Sequence, residues 1–110
     1  MPKLLCVDAV PTYNEISLAD LPIVFGRSLD ADVRFDDTWT SRFHCQLELV
    51  DRRFMVRDLG SSNGTLINGD AVSEGELKHG DRLTVGISTF ELSVPARLRL
   101  AEQPEEAVTV

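Results

Sequence analysis

Three short runs concentrate polar side chains of complementary type: Gly26-Arg27-Ser28, Ser41-Arg42-Phe43-His44 and Ser61-Ser62-Asn63-Gly64-Thr65. Between them Arg27, Arg42, Ser41, Ser62 and Asn63 offer a planar guanidinium fork, a second cation, hydroxyls and an amide. These are donors, and they include no obvious nucleophile beside a base. A doubly charged, three-oxygen phosphoryl group is the ligand such donors suit. Arg meets it through two parallel N–H bonds where Lys offers only a point charge. Gly26 keeps the backbone open beside Arg27, and Gly64 lets the Asn63 loop turn tightly enough for backbone N–H groups to join in.

The same residues have plainer uses. Arg27 can pair with Asp30 or Asp32 at the surface, where an ion pair contributes roughly 0–1 kcal/mol. Ser41 can be a turn residue whose hydroxyl bonds the backbone. Ser41 and His44, with Asp58 as orienting acid, also suggest a hydrolase. However, a Ser–His pair three residues apart across a loop into a strand need not be in hydrogen-bond reach, and a strand-to-helix nucleophile elbow is not expected in a chain of short strands. A zinc site from Cys6, His44, Cys45 and His79 lacks a close-spaced ligand pair of the Cys-x-x-Cys kind, so no metal and no cofactor is expected. His44, between apolar Phe43 and Cys45, reads as a buried, hydrogen-bonded histidine. Trp39 is equally a cap on one end of the domain or a contact for a ligand.

The elements that must position these runs are short. Hydrophobic segments are punctuated by Gly, Asp, Asn and Pro every eight to twelve residues or so, the spacing of an antiparallel all-β sandwich or barrel. Nine strands are expected: residues 3–7, 15–18, 23–27, 33–35, 45–50, 54–58, 65–67, 82–85 and 89–94. Along Cys45-Gln46-Leu47-Glu48-Leu49 the alternation is clean, with Cys45, Leu47 and Leu49 on one face and Gln46 and Glu48 on the other. Asn68-Gly69 supplies the positive φ angles of a tight hairpin turn, whereas Arg52 in Asp51-Arg52 does not favour them. In a sandwich alternate loops lie at one end, so the three polar runs can converge.

After Val94 the composition changes. Pro95 and Pro104 bracket Arg97-Leu98-Arg99-Leu100, and Glu102, Glu105 and Glu106 follow. The division expected is a sandwich over 1–94 and a peripheral segment over 95–110, with Leu98 and Leu100 on an edge strand and an acidic, frayed end.

Eleven Lys and Arg against eighteen Asp and Glu leave the 110-residue chain at −7. That field disfavours polyanions, so neither nucleic acid nor an acidic membrane surface is an expected partner. Any anionic ligand must be caught locally. No stretch approaches the roughly twenty apolar residues of a membrane span. Met1-Pro2-Lys3-Leu4-Leu5-Cys6 meets Asp8 too early for a signal peptide, and Cys6 and Cys45 read as free thiols, so a cytoplasmic location is expected.

In their order and spacing, Phe25-Gly26-Arg27-Ser28, Asp32-Val33, Ser41-Arg42-Phe43-His44, Asp58-Leu59-Gly60-Ser61-Ser62-Asn63-Gly64-Thr65, Asn68-Gly69, Gly80-Asp81 and Gly86 resemble a forkhead-associated (FHA) domain, over about residues 23–94. The resemblance implies an eleven-stranded β-sandwich that binds phosphothreonine peptides through loops at one end, without catalysis. It implies that Arg27, Ser41, Arg42 and Ser62 contact the phosphate, with Ser62 standing where Thr is commoner. Asn63 would pair with peptide backbone. Trp39 lies in a variable loop used against positions after the phosphothreonine, and suggests an apolar preference there. Gly26, His44, Gly64 and Asn68 would support the site, His44 by holding the Ser41 and Gly26 loops.

The expected function is therefore a phosphothreonine-peptide module that reads the output of a Ser/Thr protein kinase. The alternative is a phosphate-independent scaffold that uses a sheet face or the 95–110 segment, including for self-association. Phosphorylation of Thr12 or Thr109 would allow self-binding.

Overall fold

The computed structural model describes residues 1–8 and 14–99. Eleven strands pair into two sheets packed face to face. One sheet contains β1 (Lys3–Asp8), β2 (Glu15–Ser17), β7 (Thr65–Ile67), β8 (Asp70–Val72), β10 (Arg82–Val85) and β11 (Ser88–Ser93), in the order β2-β1-β11-β10-β7-β8. The other contains β3 (Ile23–Gly26), β4 (Val33–Arg34), β5 (Cys45–Val50), β6 (Arg53–Asp58) and β9 (Glu74–Leu77), in the order β4-β3-β5-β6-β9. Pairing is antiparallel except for the two-residue β4, which lies parallel to β3.

The nine expected strands are present, with ends shifted by at most one residue. Two more, β8 and β9, arise from Asp70-Ala71-Val72-Ser73-Glu74-Gly75-Glu76-Leu77, a run rich in poor strand formers and without an alternating pattern. Both sit at sheet edges and exist because their neighbours offer a ladder: Ile67 faces Asp70 across the Asn68-Gly69 turn, and β9 lies along β6 from Phe54↔Leu77 to Arg57↔Glu74.

Asp51-Arg52 departs from expectation in the other direction. Both residues adopt positive φ, 51° and 66°, although neither is glycine. The β5–β6 ladder runs without a break from Cys45↔Asp58 to Val50↔Arg53, leaving two residues to reverse the chain. A two-residue reversal between right-twisted strands takes the mirror-image turn, and the ladder outweighs a cost of about 1–2 kcal/mol per left-handed residue.

The inward faces of both sheets form one core. Leu4, Phe25, Leu47, Val56, Leu83, Val85, Phe90 and Leu92 are buried completely. Phe35 bridges the layers, its ring 6.2 Å from that of Phe25 and 5.8 Å from that of Phe90. Leu49, expected inward, is more than half exposed where β5 runs past the edge of the core.

Beyond Val94 the expected edge strand is absent at Leu98. Ala96–Leu98 instead form a single 3-10 turn, since Leu98 N–H donates to the Pro95 carbonyl and Pro95 has no N–H to give a ladder. Leu100, Glu102, Glu105, Glu106, Thr12 and Thr109 lie outside the described residues. No helix among the described residues is long and apolar enough to cross a membrane.

Leu47→Ala should lower unfolding free energy by about 2–5 kcal/mol in a denaturant titration, the range for truncating a fully buried Leu. Cys45 is also buried, and desolvation pushes its thiol up to about 12, with the Asp58 charge adding to the shift and a hydrogen bond with Thr65 opposing it. A thiol reagent near neutral pH should therefore spare Cys45 in the folded protein and modify it after denaturation. Rapid native labelling of Cys45 would contradict this packing.

Candidate functional site

Register places the three polar runs at one end. Phe25 pairs with Cys45 and Cys45 with Asp58, so the loops that leave β3, enter β5 and leave β6 meet there. The β10–β11 turn joins them, because Val85 pairs with Thr65.

The first two loops are zipped by backbone. Arg27 N–H donates to the Ser41 carbonyl (2.9 Å), Ser28 N–H to that of Arg42 (3.0 Å) and His44 N–H to that of Phe25 (2.8 Å). This approach is possible only because residue 26 is glycine. A Cβ there would overlap the Arg42 carbonyl oxygen and lie 2.8 Å from its carbon.

His44 ties the third loop to the second. Its ring is completely buried; Nδ1 accepts from Ser41 N–H at 3.1 Å, and Nε2 lies 2.8 Å from the Gly64 carbonyl. A carbonyl only accepts and a backbone N–H only donates, so the ring proton sits on Nε2. The ring therefore bonds the Ser41 loop and Gly64, and it makes no side-chain bond to Gly26. Gly26 is held by steric contact instead.

Arg27 is exposed, and its Nε donates to the Thr40 carbonyl at 3.1 Å. That bond aims the fork, and its two terminal nitrogens have no partner among the described residues. The surface pairing with Asp30 or Asp32 is not adopted: Asp32 instead accepts from Val24 N–H at 2.8 Å. Arg34 Nε donates to the Arg27 carbonyl at 2.9 Å, bringing a further cation under the loop that sequence reasoning passed over.

Ser41 Oγ accepts from Ser62 N–H at 2.9 Å. The hydroxyl thus has the backbone role its loop position suggested, and it retains its own proton to donate. Asn63 Nδ2 donates to the Trp39 carbonyl at 2.8 Å, leaving Oδ1 outward. Ser62 and Arg42 are exposed beside them. Trp39 is 57% exposed and so does not cap the core. Leu29, Phe43 and Ile87 are exposed on the same end, giving the polar loops an apolar rim.

Two carboxylates brace these loops, and neither figured among the expected site residues. Asp37 accepts from Trp39 N–H (2.8 Å) and from the Thr40 hydroxyl (3.0 and 2.9 Å). The buried Thr40 packs on the β10–β11 turn, where a Cβ at Gly86 would overlap its hydroxyl. Asp58 accepts from Gly60 N–H and Ser61 N–H (both 3.0 Å), from the Thr65 hydroxyl (2.7 Å) and from the Ser61 hydroxyl. The sequence signal was available, since Asp followed two and three residues later by Gly and Ser is turn chemistry.

The hydrolase arrangement is not assembled. Both nitrogens of His44 are engaged by backbone, and the Asp58 carboxylate faces the 60–65 loop. Gly60-Ser61-Ser62-Asn63-Gly64 spells Gly-x-Ser-x-Gly, but it joins two strands, not a strand and a helix.

Asn68 departs from its expected role beside the site. It lies at the opposite end, where its amide donates to Asp81 at 3.1 Å and accepts from Arg82 N–H at 2.9 Å. β7 carries the chain away from the loops, so a turn after Ile67 cannot support them.

A model of the FHA domain matches residues 23–86, more than half of the chain. The chain belongs to the FHA domain family. It is 37% identical over 84 residues to the glycogen accumulation regulator GarA of Mycolicibacterium smegmatis, covering 76% of this chain and 53% of GarA. The chain thus spans about half the length of the curated relatives it matches first. A solved structure from work on phosphothreonine-dependent FHA domain interactions superposes with a TM-score of 0.75 at 29% identity, covering 86% of this chain and 96% of that one. The FhaA FHA domain, solved in complex with the intracellular domain of another protein, superposes with a TM-score of 0.73 at 29% identity, covering 84% of this chain and 99% of that one. In these terms the loop end of this FHA domain, with its fixed backbone and outward donors, is the candidate site.

Partial burial works against the Asp58 charge, but the Ser61 and Thr65 hydroxyls and the Ser61 and Gly60 amides outweigh it and hold the carboxyl below its ordinary range. The stabilisation is complete above the unfolded value, about 3.9, and is lost as pH falls through the folded value. Asp58→Asn should lower stability near neutral pH by about 1–2 kcal/mol, discounted for the loop's solvent access. The gap to wild type should close in denaturant titrations below about pH 4. A gap that widens in acid would contradict this role.

Proposed function

We propose that this FHA domain binds phosphothreonine-containing proteins or peptides and reads the output of a Ser/Thr protein kinase. One observation carries the reading most: Arg27 is aimed by Thr40 with its terminal nitrogens uncommitted, beside a Ser41 hydroxyl that still has a proton to give. In this reading Arg27 grips the phosphate bidentately, Ser41 donates to a third oxygen, and Ser62 and Arg42 close on it from either side. Charge-assisted hydrogen bonds of this kind contribute roughly 1.5–3 kcal/mol each, enough for micromolar affinity after ordering costs. The phosphothreonine-dependent interactions studied for its structural neighbour support the same choice of ligand.

Asn63 takes a backbone N–H of the ligand on its outward Oδ1 and so sets the register of an extended peptide. The amide's other half, on the Trp39 carbonyl, couples that contact to the Trp39 loop. The exposed indole, with Leu29, Phe43 and Ile87, supports apolar contact with residues that flank the phosphothreonine. The engagement of His44 by backbone supports a binding module rather than an enzyme. The excess of carboxylates supports the exclusion of nucleic acid, and we place the domain in the cytoplasm, where its kinase acts.

Titration of a phosphothreonine peptide library and its unphosphorylated twin against wild type and Arg27→Ala tests the proposal. Wild type should bind the phosphorylated set alone. Arg27→Ala should lose about 2–5 kcal/mol of binding, thirtyfold or more, as when one partner of a hydrogen-bonded charge pair is truncated. Equal binding of both sets, or binding that survives Arg27→Ala, would overturn the reading in favour of phosphate-independent scaffolding.

A further inference from the structure

The segment from Asp37 to Ser41 carries the partners of both Arg27 and Asn63, on two successive peptide units. A peptide unit is planar, so the carbonyl of one residue and the N–H of the next turn together. The Trp39 carbonyl accepts from Asn63 Nδ2 at 2.8 Å, and the N–H on the same plane, that of Thr40, donates to the Asp37 carbonyl at 3.4 Å. The Thr40 carbonyl accepts from Arg27 Nε at 3.1 Å, and the N–H on that plane, that of Ser41, donates to His44 Nδ1 at 3.1 Å. Asn63 and Arg27 therefore hang from adjacent planes, and the two planes meet at the Cα of Thr40.

The angle between the planes is set at Thr40. Its side chain is 1% exposed, and its hydroxyl donates to the Asp37 carboxylate, 3.0 and 2.9 Å from the two oxygens. The same carboxylate accepts from Trp39 N–H at 2.8 Å. The β10–β11 turn closes on this pair, since a Cβ at Gly86 would overlap the Thr40 hydroxyl and stand 3.0 Å from Asp37 Oδ1. The neighbouring carboxylate, Asp36, pairs instead with Arg34 at 3.6 Å.

We propose that Asp37 is a positioning residue of the recognition site: by locking Thr40 it fixes the angle between the Arg27 fork and the Asn63 amide, so that the grip on the phosphate and the grip on the peptide backbone act as one unit. This role rests on phosphothreonine binding as proposed, and it adds a cooperativity that such binding does not require. Electrostatics alone would give the opposite sign. A carboxylate near a dianionic phosphate repels it, so removal of the Asp37 charge would strengthen binding if charge were all that mattered. Removal of the lock weakens it. Asp37→Asn separates the two effects, because an amide oxygen still accepts from Trp39 N–H and from the Thr40 hydroxyl while the charge is gone.

The test combines calorimetric titration of a phosphothreonine peptide with NMR of the ligand-free protein. Asp37→Ala should weaken peptide binding about tenfold or more, and Asp37→Asn should restore it to within about threefold of wild type. The loss in Asp37→Ala should shrink to about threefold or less when Arg27 or Asn63 has already been replaced by Ala, since the grips are then no longer coupled. In ligand-free Asp37→Ala the Arg27 Nε–H and Asn63 side-chain amide signals should shift together, and in Asp37→Asn both should stay near their wild-type positions. Gly86→Ala presses on Thr40 while leaving Asp37 in place; it should reproduce the loss and the paired shifts, and it takes the place of Asp37→Ala if that variant does not fold. Binding by Asp37→Ala as tight as wild type, equal losses in Asp37→Ala and Asp37→Asn, full additivity with Arg27→Ala and Asn63→Ala, or a shift of one signal without the other would each overturn the proposal. Failure of wild type to bind the phosphothreonine peptide would instead remove the reading beneath it, and the paired shifts, recorded without ligand, would still decide whether the lock exists.

Discussion

His44 is the side chain on which the recognition end depends. Its imidazole lies within the core and spends both nitrogens on backbone, one on Ser41 N–H and one on the Gly64 carbonyl. Those two bonds join the Ser41 loop to the Gly64 loop and fix the distance between them. The close approach at Gly26 fixes the first loop against the second by sterics. What remains outward, Arg27, Ser41, Ser62 and Asn63, sits on a backbone that is already immobilised. Fewer groups then need ordering when a ligand arrives, which is where a small interface otherwise loses affinity. Replacing the imidazole with an apolar side chain would leave two partly buried backbone groups unpaired, so the geometry of the loop end rests on this residue.

Much of this was legible in the sequence because the recognition loops are contiguous runs of turn-forming and donor residues. The types at positions 26–28, 41–44 and 61–65 state the chemistry, and the alternation along β5 states which face is buried. What the sequence hides is partnership. Asp58 reads as an acid near a serine and a histidine, and only the fold shows that its carboxylate turns to the 60–65 loop. Asn68 follows the motif residues in order, yet β7 takes it to the far end. The edge strands β8 and β9 and the left-handed Arg52 are imposed by neighbouring ladders, which local propensity does not anticipate.

The net charge and the candidate ligand are reconciled by distance. At physiological salt the Debye length is about 8 Å, so carboxylates elsewhere on the surface barely act at the loop end, whereas Arg27 acts at contact. Three carboxylates close to the loops are themselves committed: Asp32 accepts from Val24 N–H, Asp37 from Trp39 and Thr40, and Asp58 from the 60–65 loop. An acidic domain thus turns part of its own negative charge into internal scaffolding beneath loops that expose Arg27 and Arg42.

The pairing of Lys3 with Ser93 puts the beginning of the first strand beside the end of the last one, on the side of the sandwich away from the loops. Polypeptide attached before Lys3 and after Ser93 therefore departs from nearly one point and in the direction that leaves the loops clear. Such a unit can be spliced into a longer chain as a pendant, with the flanking parts continuing almost as though it were not there. It needs no reshaping to fit different hosts.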